Sequence, residues 1–487
     1  MAYPPSQSIT VRDGGTGQVS SAVALPLVYA VTSGGVADTL YQYSDPNALR
    51  DVQGEGPAVE LALAVIQAAG GVLLMKTQNS TAGANGSVTK VAVDSSTGTI
   101  TLSGAPRDNY RALIEITVTG ALGAGKFKYS LTRKDDNISA YEFSPEITIP
   151  SGGTYALGDT GITLTFVAGG GPVIFEVGDQ HRFDSTAPHY TSADLTAATT
   201  ALLTQIGSRK IRQVYFAGKN VDGAGAATIA ASVSTQLTTL ESNDYYARAM
   251  MDGGDDTASA VQTALASFTD SRVAVYFGDS DQTTLNPAPG WGTPRLPAMN
   301  AAAERAAAAN LSENLGRKAS GALRGVVKIT HDEGTNTQFA ESDKICTLRT
   351  YRGEPGFYVT NGFLKSPLGS DFKFWEWGRV ADEICDTVFE GQKAFTLASL
   401  EAKSDGSGSL TPSSAKIIEG AVNGQLKARL RDPYNAEGTK GHVSALSYSV
   451  DQTNDFLATQ TIQSTASAVP RPPITGFTTT IGFARTV

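Results

Sequence analysis

The spacing of apolar positions along this chain changes character several times, and each change marks a different kind of structure. A short alternating run at 8–12, with Ile9 and Val11 on one side, closes in the turn-like Asp13-Gly14-Gly15-Thr16-Gly17. A continuous apolar run at 25–31 predicts a buried strand. Asp45 followed by Pro46 predicts a helix with a capping aspartate and proline in its first turn. Residues 60–69 predict a second helix ending at Gly70-Gly71, and 72–76 a buried strand. This strand–helix–strand opening belongs to an α/β domain.

From about 85 to 188 the helical period disappears. Short β-runs at 88–93, 99–102, 112–118, 127–132, 146–149, 162–167 and 173–177 are separated by Gly, Asp and Asn turns, the pattern of a sandwich or small barrel. Alternation then resumes: helices at 195–206, 227–240 and 258–268 are interleaved with strands at 211–217, 245–251 and 272–277. The β-rich stretch therefore reads as an insertion into an α/β domain. A Pro/Gly-rich loop at 287–297 leads to an alanine-rich helix at 299–315, then strands at 326–329, 346–351 and 357–359.

The last part predicts helices at 379–389 and 413–429, joined by the flexible Ser404-Asp405-Gly406-Ser407-Gly408-Ser409, and strands at 446–450 and 459–463. After Pro470-Arg471-Pro472-Pro473 comes a final strand at 474–484, with Phe477, Ile481 and Phe483 on one face. The expected fold class is α/β (α+β): a mixed sheet covered by helices, with an inserted all-β domain and strand-forming arms at both ends. The expected divisions are an N-terminal arm at 1–24, a core in two parts at 25–84 and 189–345, and the insertion at 85–188. A C-terminal domain at 346–469 and an arm at 470–487 complete them.

A single short strand cannot satisfy its own backbone groups and must pair with something. The two terminal segments therefore either join this chain's own sheet or add to the exposed sheet edge of another copy.

Composition narrows the classes. The chain is 41% hydrophobic and 17% charged over 487 residues, enough apolar content for a real core, and its 51 glycines agree with many turns. A net charge of -9 and a pI of about 5.1 argue against nucleic acid as partner. No run approaches the roughly 20 apolar residues that span a bilayer. The opening Met1-Ala2-Tyr3-Pro4-Pro5 is unlike a signal peptide, so synthesis and retention in the cytoplasm of the producing cell are expected. Cys346 and Cys385 lie in apolar-rich segments and are expected to be buried rather than bridged.

Motifs for chemistry are scarce. His181, His189, His331 and His442 are scattered, and none has metal-ligand spacing with a cysteine. His331-Asp332-Glu333 fits a polar loop better than a metal cluster, and Asp252-Gly253-Gly254-Asp255-Asp256 lacks the ligand order of a calcium loop. There is no P-loop and no G-x-S-x-G elbow, so no catalytic residue, metal or cofactor is assigned. Trp375 and Trp377, in a dense aromatic group expected just before a helix, are either core residues or intersubunit anchors. Lys416, Glu419, Lys427, Arg429 and Arg431 read as a solvated helix face, or as one facing another subunit.

The block from Arg349-Thr350-Tyr351-Arg352-Gly353-Glu354-Pro355-Gly356-Phe357-Tyr358-Val359 through Gly369-Ser370-Asp371-Phe372 to Arg379-Val380-Ala381-Asp382 resembles the sheath proteins of contractile phage tails. The early Gly56-Pro57-Ala58-Val59-Glu60 helix ending in Gly70-Gly71 and the proline-led final strand are similar as well. The resemblance covers about the first 80 residues and everything after about 190. It implies a non-enzymatic virion subunit, made in the host cytoplasm, that stacks as hexameric rings around a tail tube. It also implies baseplate and tail terminator partners, arms that exchange strands between subunits, and contraction that drives the tube through an envelope. The inserted stretch resembles the variable outer domains of such proteins. Two other readings compete: an α/β enzyme with an inserted β-domain, and a virion adhesin binding carbohydrate.

Overall fold

The computed structural model describes residues 24–91, 96–132, 142–171, 174–220, 222–285, 287 and 290–473. The chain begins with β1 (Leu25–Ala30), β2 (Thr39–Tyr43), α1 (Pro46–Gln53), α2 (Pro57–Ala69) and β3 (Val72–Lys76). Asp45 caps α1 by accepting from the Asn47 N–H at 3.0 Å, with Pro46 in the first turn. The start of α2 needs glycine. Gly56 has φ +135°, and a Cβ there would lie 2.9 Å from the Val31 carbonyl.

A β-rich unit follows: β4 (Ala84–Asn85), β5 (Thr89–Val91), β6 (Thr99–Ser103), β7 (Arg111–Val118), β8 (Lys126–Ser130), β9 (Ile147–Thr148), β10 (Thr154–Ala156), β11 (Thr163–Val167) and β12 (Gln180–Thr186). One antiparallel sheet has the order β10-β11-β6 and the other β4-β12-β7-β8-β9, with β5 also on β12. Their alternating inward residues, among them Ile114, Phe127, Leu164, Phe166 and Phe183, form one apolar core. The two connections to the body run side by side: Thr81 bridges His189, and Ser80 donates to Asp194 Oδ1 at 2.6 Å.

The body resumes with α3 (Ser192–Gln205), β13 (Ile211–Phe216), α4 (Gly223–Glu241), β14 (Arg248–Asp252), α5 (Ala258–Ala264) and β15 (Val273–Tyr276). After these come β16 (Asp279–Gln282), β17 (Arg295–Pro297), α6 (Ala298–Ala308), β18 (Val326–Ile329) and β19 (Ile345–Cys346). The body sheet has the order β19-β15-β14-β13-β1-β3-β2, parallel throughout except for β2. Its inner strands are apolar on both faces because helices cover both, as parallel sheets require. The fold is the α/β mixed class that the sequence pattern predicts.

The last segment carries β20 (Leu348–Tyr351), β21 (Glu354–Val359), α7 (Trp375–Lys393), α8 (Pro412–Leu426), β22 (Val443–Val450), α9 (Phe456–Thr459) and β23 (Ser464–Pro470). It has its own apolar cluster, including Val380, Ile418, Val422, Leu426, Tyr448 and Val450.

Several local expectations are corrected. The helix expected at 299–315 stops at Ala308, where the Arg379 guanidinium takes the Ala309 and Asn310 carbonyls. The helix expected at 258–268 ends at Ala264. The strand expected at 459–463 lies instead at Ser464–Pro470, because Asp455 caps a helical turn at 456–459 and Val450 pairs with Ser464. Trp375 and Trp377 sit inside the first turn of α7, not before it. Cys346 is buried as expected, but Cys385 is exposed.

Candidate intersubunit edge at the C-terminal hairpin

β22 and β23 form a two-stranded antiparallel sheet in the register Tyr448↔Ala466 and Val450↔Ser464. Beyond the register shift near its start, the even-numbered side chains of β22 face α8: Tyr448 and Val450 are buried and Leu446 half-buried, while Ser447 and Ser449 face solvent. The Tyr448 hydroxyl accepts from Gln392 Nε2 at 2.9 Å, tying the sheet to α7.

The two outer edges of this sheet differ. Along β22 the outward backbone groups are taken by side chains from α8 and the π-turn at 427–431 that follows it. Asn423 accepts from the Tyr448 N–H at 3.0 Å and donates to the Tyr448 carbonyl at 2.9 Å, replacing a neighbouring strand. Glu419 accepts from the Val450 N–H at 2.9 Å, and Arg431 donates to the Ser444 carbonyl at 2.8 Å. That edge is closed.

The outer edge of β23 pairs with no strand among the described residues. In this register Ala466 directs its N–H and carbonyl away from Tyr448, so the unpaired groups lie at every second residue. Its side chains are small, Ser-Thr-Ala-Ser-Ala-Val-Pro, and mostly exposed. An open, uncharged edge of this kind is a template for another strand.

The exit from β23 is pinned. Trp377 Nε1 donates to the Arg471 carbonyl at 3.2 Å, and its ring meets Phe374 edge-on at 5.0 Å between centroids. Arg471 donates to Thr439 Oγ1 at 3.3 Å and to the Lys440 carbonyl at 2.8 Å. Trp375, by contrast, is wholly buried in the body core. The expected arm residues Ile9, Val11, Phe477, Ile481 and Phe483 lie outside the described residues.

The base of the hairpin unit is fastened to the body by charge. Arg248 meets Asp382 at 3.2 Å, Arg212 meets Glu383 at 2.7 Å, Lys210 meets Glu390, and Arg429 reaches both Glu383 and Glu390. Gly378 makes room for this, since a Cβ there would collide with the Arg248 guanidinium. Burial pushes the Asp382 carboxyl up to about 6, outweighing Arg248 beside it. Glu419 and Arg429 are thus engaged groups, not a solvated face. Sequence reasoning named both but missed Asn423, whose only signal is a polar residue four positions after Glu419 on the same side of α8.

A depression of about 480 Å³ lies at the carboxyl ends of β14 and β15, where doubly wound sheets bind ligands. Most of its charged groups are tied up locally. Asp279 is held by Lys219 at 2.6 Å, Arg295 by Asp281 at 2.9 Å and His331 by Glu333 at 2.7 Å. Among the described residues no group of His, Cys, Asp and Glu is arranged to hold a metal, and no helix is long and apolar enough to cross a membrane.

No family model and no curated protein sequence matches the chain. Solved structures do. The sheath tail protein of Listeria innocua aligns at 12% identity over 92% of this chain and 95% of its own, with a TM-score of 0.42. The sheath tail protein of Desulfitobacterium hafniense aligns at 12% over 95% and 100%, also at 0.42. A chain of the anti-feeding prophage baseplate in its contracted state aligns at 10% identity over 100% of both chains, with a TM-score of 0.50. The chain shares its fold with a chain of that contracted baseplate.

Proposed function

We propose that this protein is the sheath subunit of a contractile tail or a related injection device. Copies stack as hexameric rings around a tail tube, bounded by baseplate and terminator proteins, and a collective shift drives the tube through an envelope. The observation that carries this reading is the asymmetry of the C-terminal hairpin: a closed edge on β22, an open edge on β23, and a pinned exit beside it.

In this reading the open edge receives a strand from a neighbouring copy. Residues 474–487 are 14 residues, which reach about 46 Å when extended. Phe477, Ile481 and Phe483 give that arm an apolar face, and Ile9 and Val11 do the same for the N-terminal arm. Backbone pairing supplies the link while the folded bodies slide as rigid units, so the strands act as hinges between two packings. The full-length fold shared with a baseplate chain of a contractile particle supports the reading. The β-rich segment 85–188 is a decoration on the outside of such a wall. The particle is a virion or virion-derived assembly, and the subunit works without catalysis or cofactor.

Negative-stain imaging of the purified chain tests this. Hollow tubes or stacked rings are the expected result; monodisperse monomers across salt conditions would overturn it. Removing 474–487 is expected to abolish polymers while leaving a folded monomer.

A further inference from the structure

The body and the β-rich unit have separate apolar cores with no residue in common. Trp291, from the segment between β16 and β17, reaches across into the β-rich core and stacks edge-on against Tyr110 at 5.2 Å. The seam beneath it is polar. Arg50 of α1 donates to Glu55 Oε1 at 3.0 Å, to Glu60 Oε1 at 2.9 Å and to the Leu285 carbonyl at 3.2 Å. On the other side Asp108, in the segment entering β7, is only 1% exposed.

Asp108 Oδ1 accepts from the Asn109 N–H at 2.7 Å, but its Oδ2 has no partner among the described residues. The same is true of Glu55 Oε2 and Glu60 Oε2. Arg107, also on the β-rich side, is half-exposed and lies 3.9 Å from Asp159, which is itself largely in solvent, while Arg111 lines a neighbouring cleft with Asp281 and Arg295 of the body. The Arg107 carbonyl oxygen lies 3.6 Å from where a Cβ on Gly56 would stand, so the segment carrying Asp108 packs against the start of α2, next to Glu55. Three buried carboxyls thus face one buried guanidinium, an arrangement that is costly unless a carboxyl is neutral.

We propose that this seam is a proton-operated joint: with Asp108 neutral the β-rich unit is held against the body, and loss of that proton sets a third anion beside Glu55 and Glu60 and lets the unit pivot on its paired linkers. The inference concerns the seam alone and does not depend on assembly. Burial, reinforced by Glu60, raises the Asp108 carboxyl well above the usual range, and burial raises Glu60 to about 7. A raised acid binds its proton more tightly in the closed state, so acid closes the joint and alkali opens it. Between the ordinary carboxylate value near about 4 and the raised values, each pH unit shifts the balance by up to about tenfold per acid.

Acrylamide quenching of tryptophan fluorescence, from about pH 5 to about pH 9, reads the exposure of Trp291 in the full chain. Quenching is expected to rise with pH in the parent and to rise much less in Asp108→Asn, where only the Glu60 proton remains linked. Trp375 and Trp377 contribute equally to both proteins. Parallel curves, or a parent that does not respond, would overturn the proposal. Glu60→Gln removes one of the linked protons and is expected to give a shallower rise; an unchanged slope would also overturn it. Asp159→Asn, on the exposed side, is expected to leave the parent curve unchanged.

Discussion

Trp377 Nε1 donates to the backbone carbonyl of Arg471 at 3.2 Å, so the first turn of α7 holds the chain where it leaves β23. The bond joins the residue that follows the hairpin to the helix whose charges fasten it to the body.

Replacing Trp377 by phenylalanine keeps the ring against Phe374 and removes the donor. A neutral hydrogen bond of this kind contributes about 1 kcal/mol. The monomer is therefore expected to melt nearly as before, while polymer yield in sedimentation falls.

Asn423→Leu exposes the Tyr448 N–H and carbonyl at a half-buried position. Each buried backbone group left unsatisfied costs on the order of 1–3 kcal/mol. Denaturant unfolding is expected to show that loss, and the unsealed β22 edge is expected to increase irregular aggregation.

Arg248→Met leaves the Asp382 carboxyl buried without its cation. Breaking a buried pair from one side costs roughly 3–5 kcal/mol, whereas replacing both partners by apolar groups costs little. Arg248→Met is expected to be much less stable in chemical denaturation than Arg248→Met combined with Asp382→Leu.

His181 is 1% exposed on β12, and neither ring nitrogen has a partner among the described residues. Burial pulls its pKa down to about 4. A depressed base takes up its proton more readily unfolded, so its contribution is intact above about pH 6.5 and lost as pH falls to about 4. The loss is up to about 3 kcal/mol. His181→Leu is expected to flatten that limb of a stability–pH curve measured by thermal melts.

What the residues announce and what they conceal can be traced position by position. β1, β3, β13 and β15 are legible because near-continuous apolar runs between turn signals leave few alternatives. β23 is not, because Ser464–Pro470 carries small side chains and becomes a strand only by pairing with β22. The roles of Asn423 and Glu419 are equally hidden, since they depend on where a strand lies that is some 25–31 positions later in the chain. The aromatic cluster at Trp375 and Trp377 signalled importance, but only the fold separates the core residue from the one that holds the exit. Trp291 sits in a Pro/Gly-rich stretch that reads as plain loop, yet it fills the core of another unit.

The central claim concerns whose strand occupies the open edge of β23, and disulfide trapping between mixed subunits tests it most directly. With Cys385→Ser as background, chains carrying Ala466→Cys are assembled with differently tagged chains carrying Ile481→Cys. Arm exchange predicts a covalent heterodimer that forms only on assembly. If the two cysteines instead close within one chain when placed together, and never link separate chains, the arm folds back on its own subunit and the account fails.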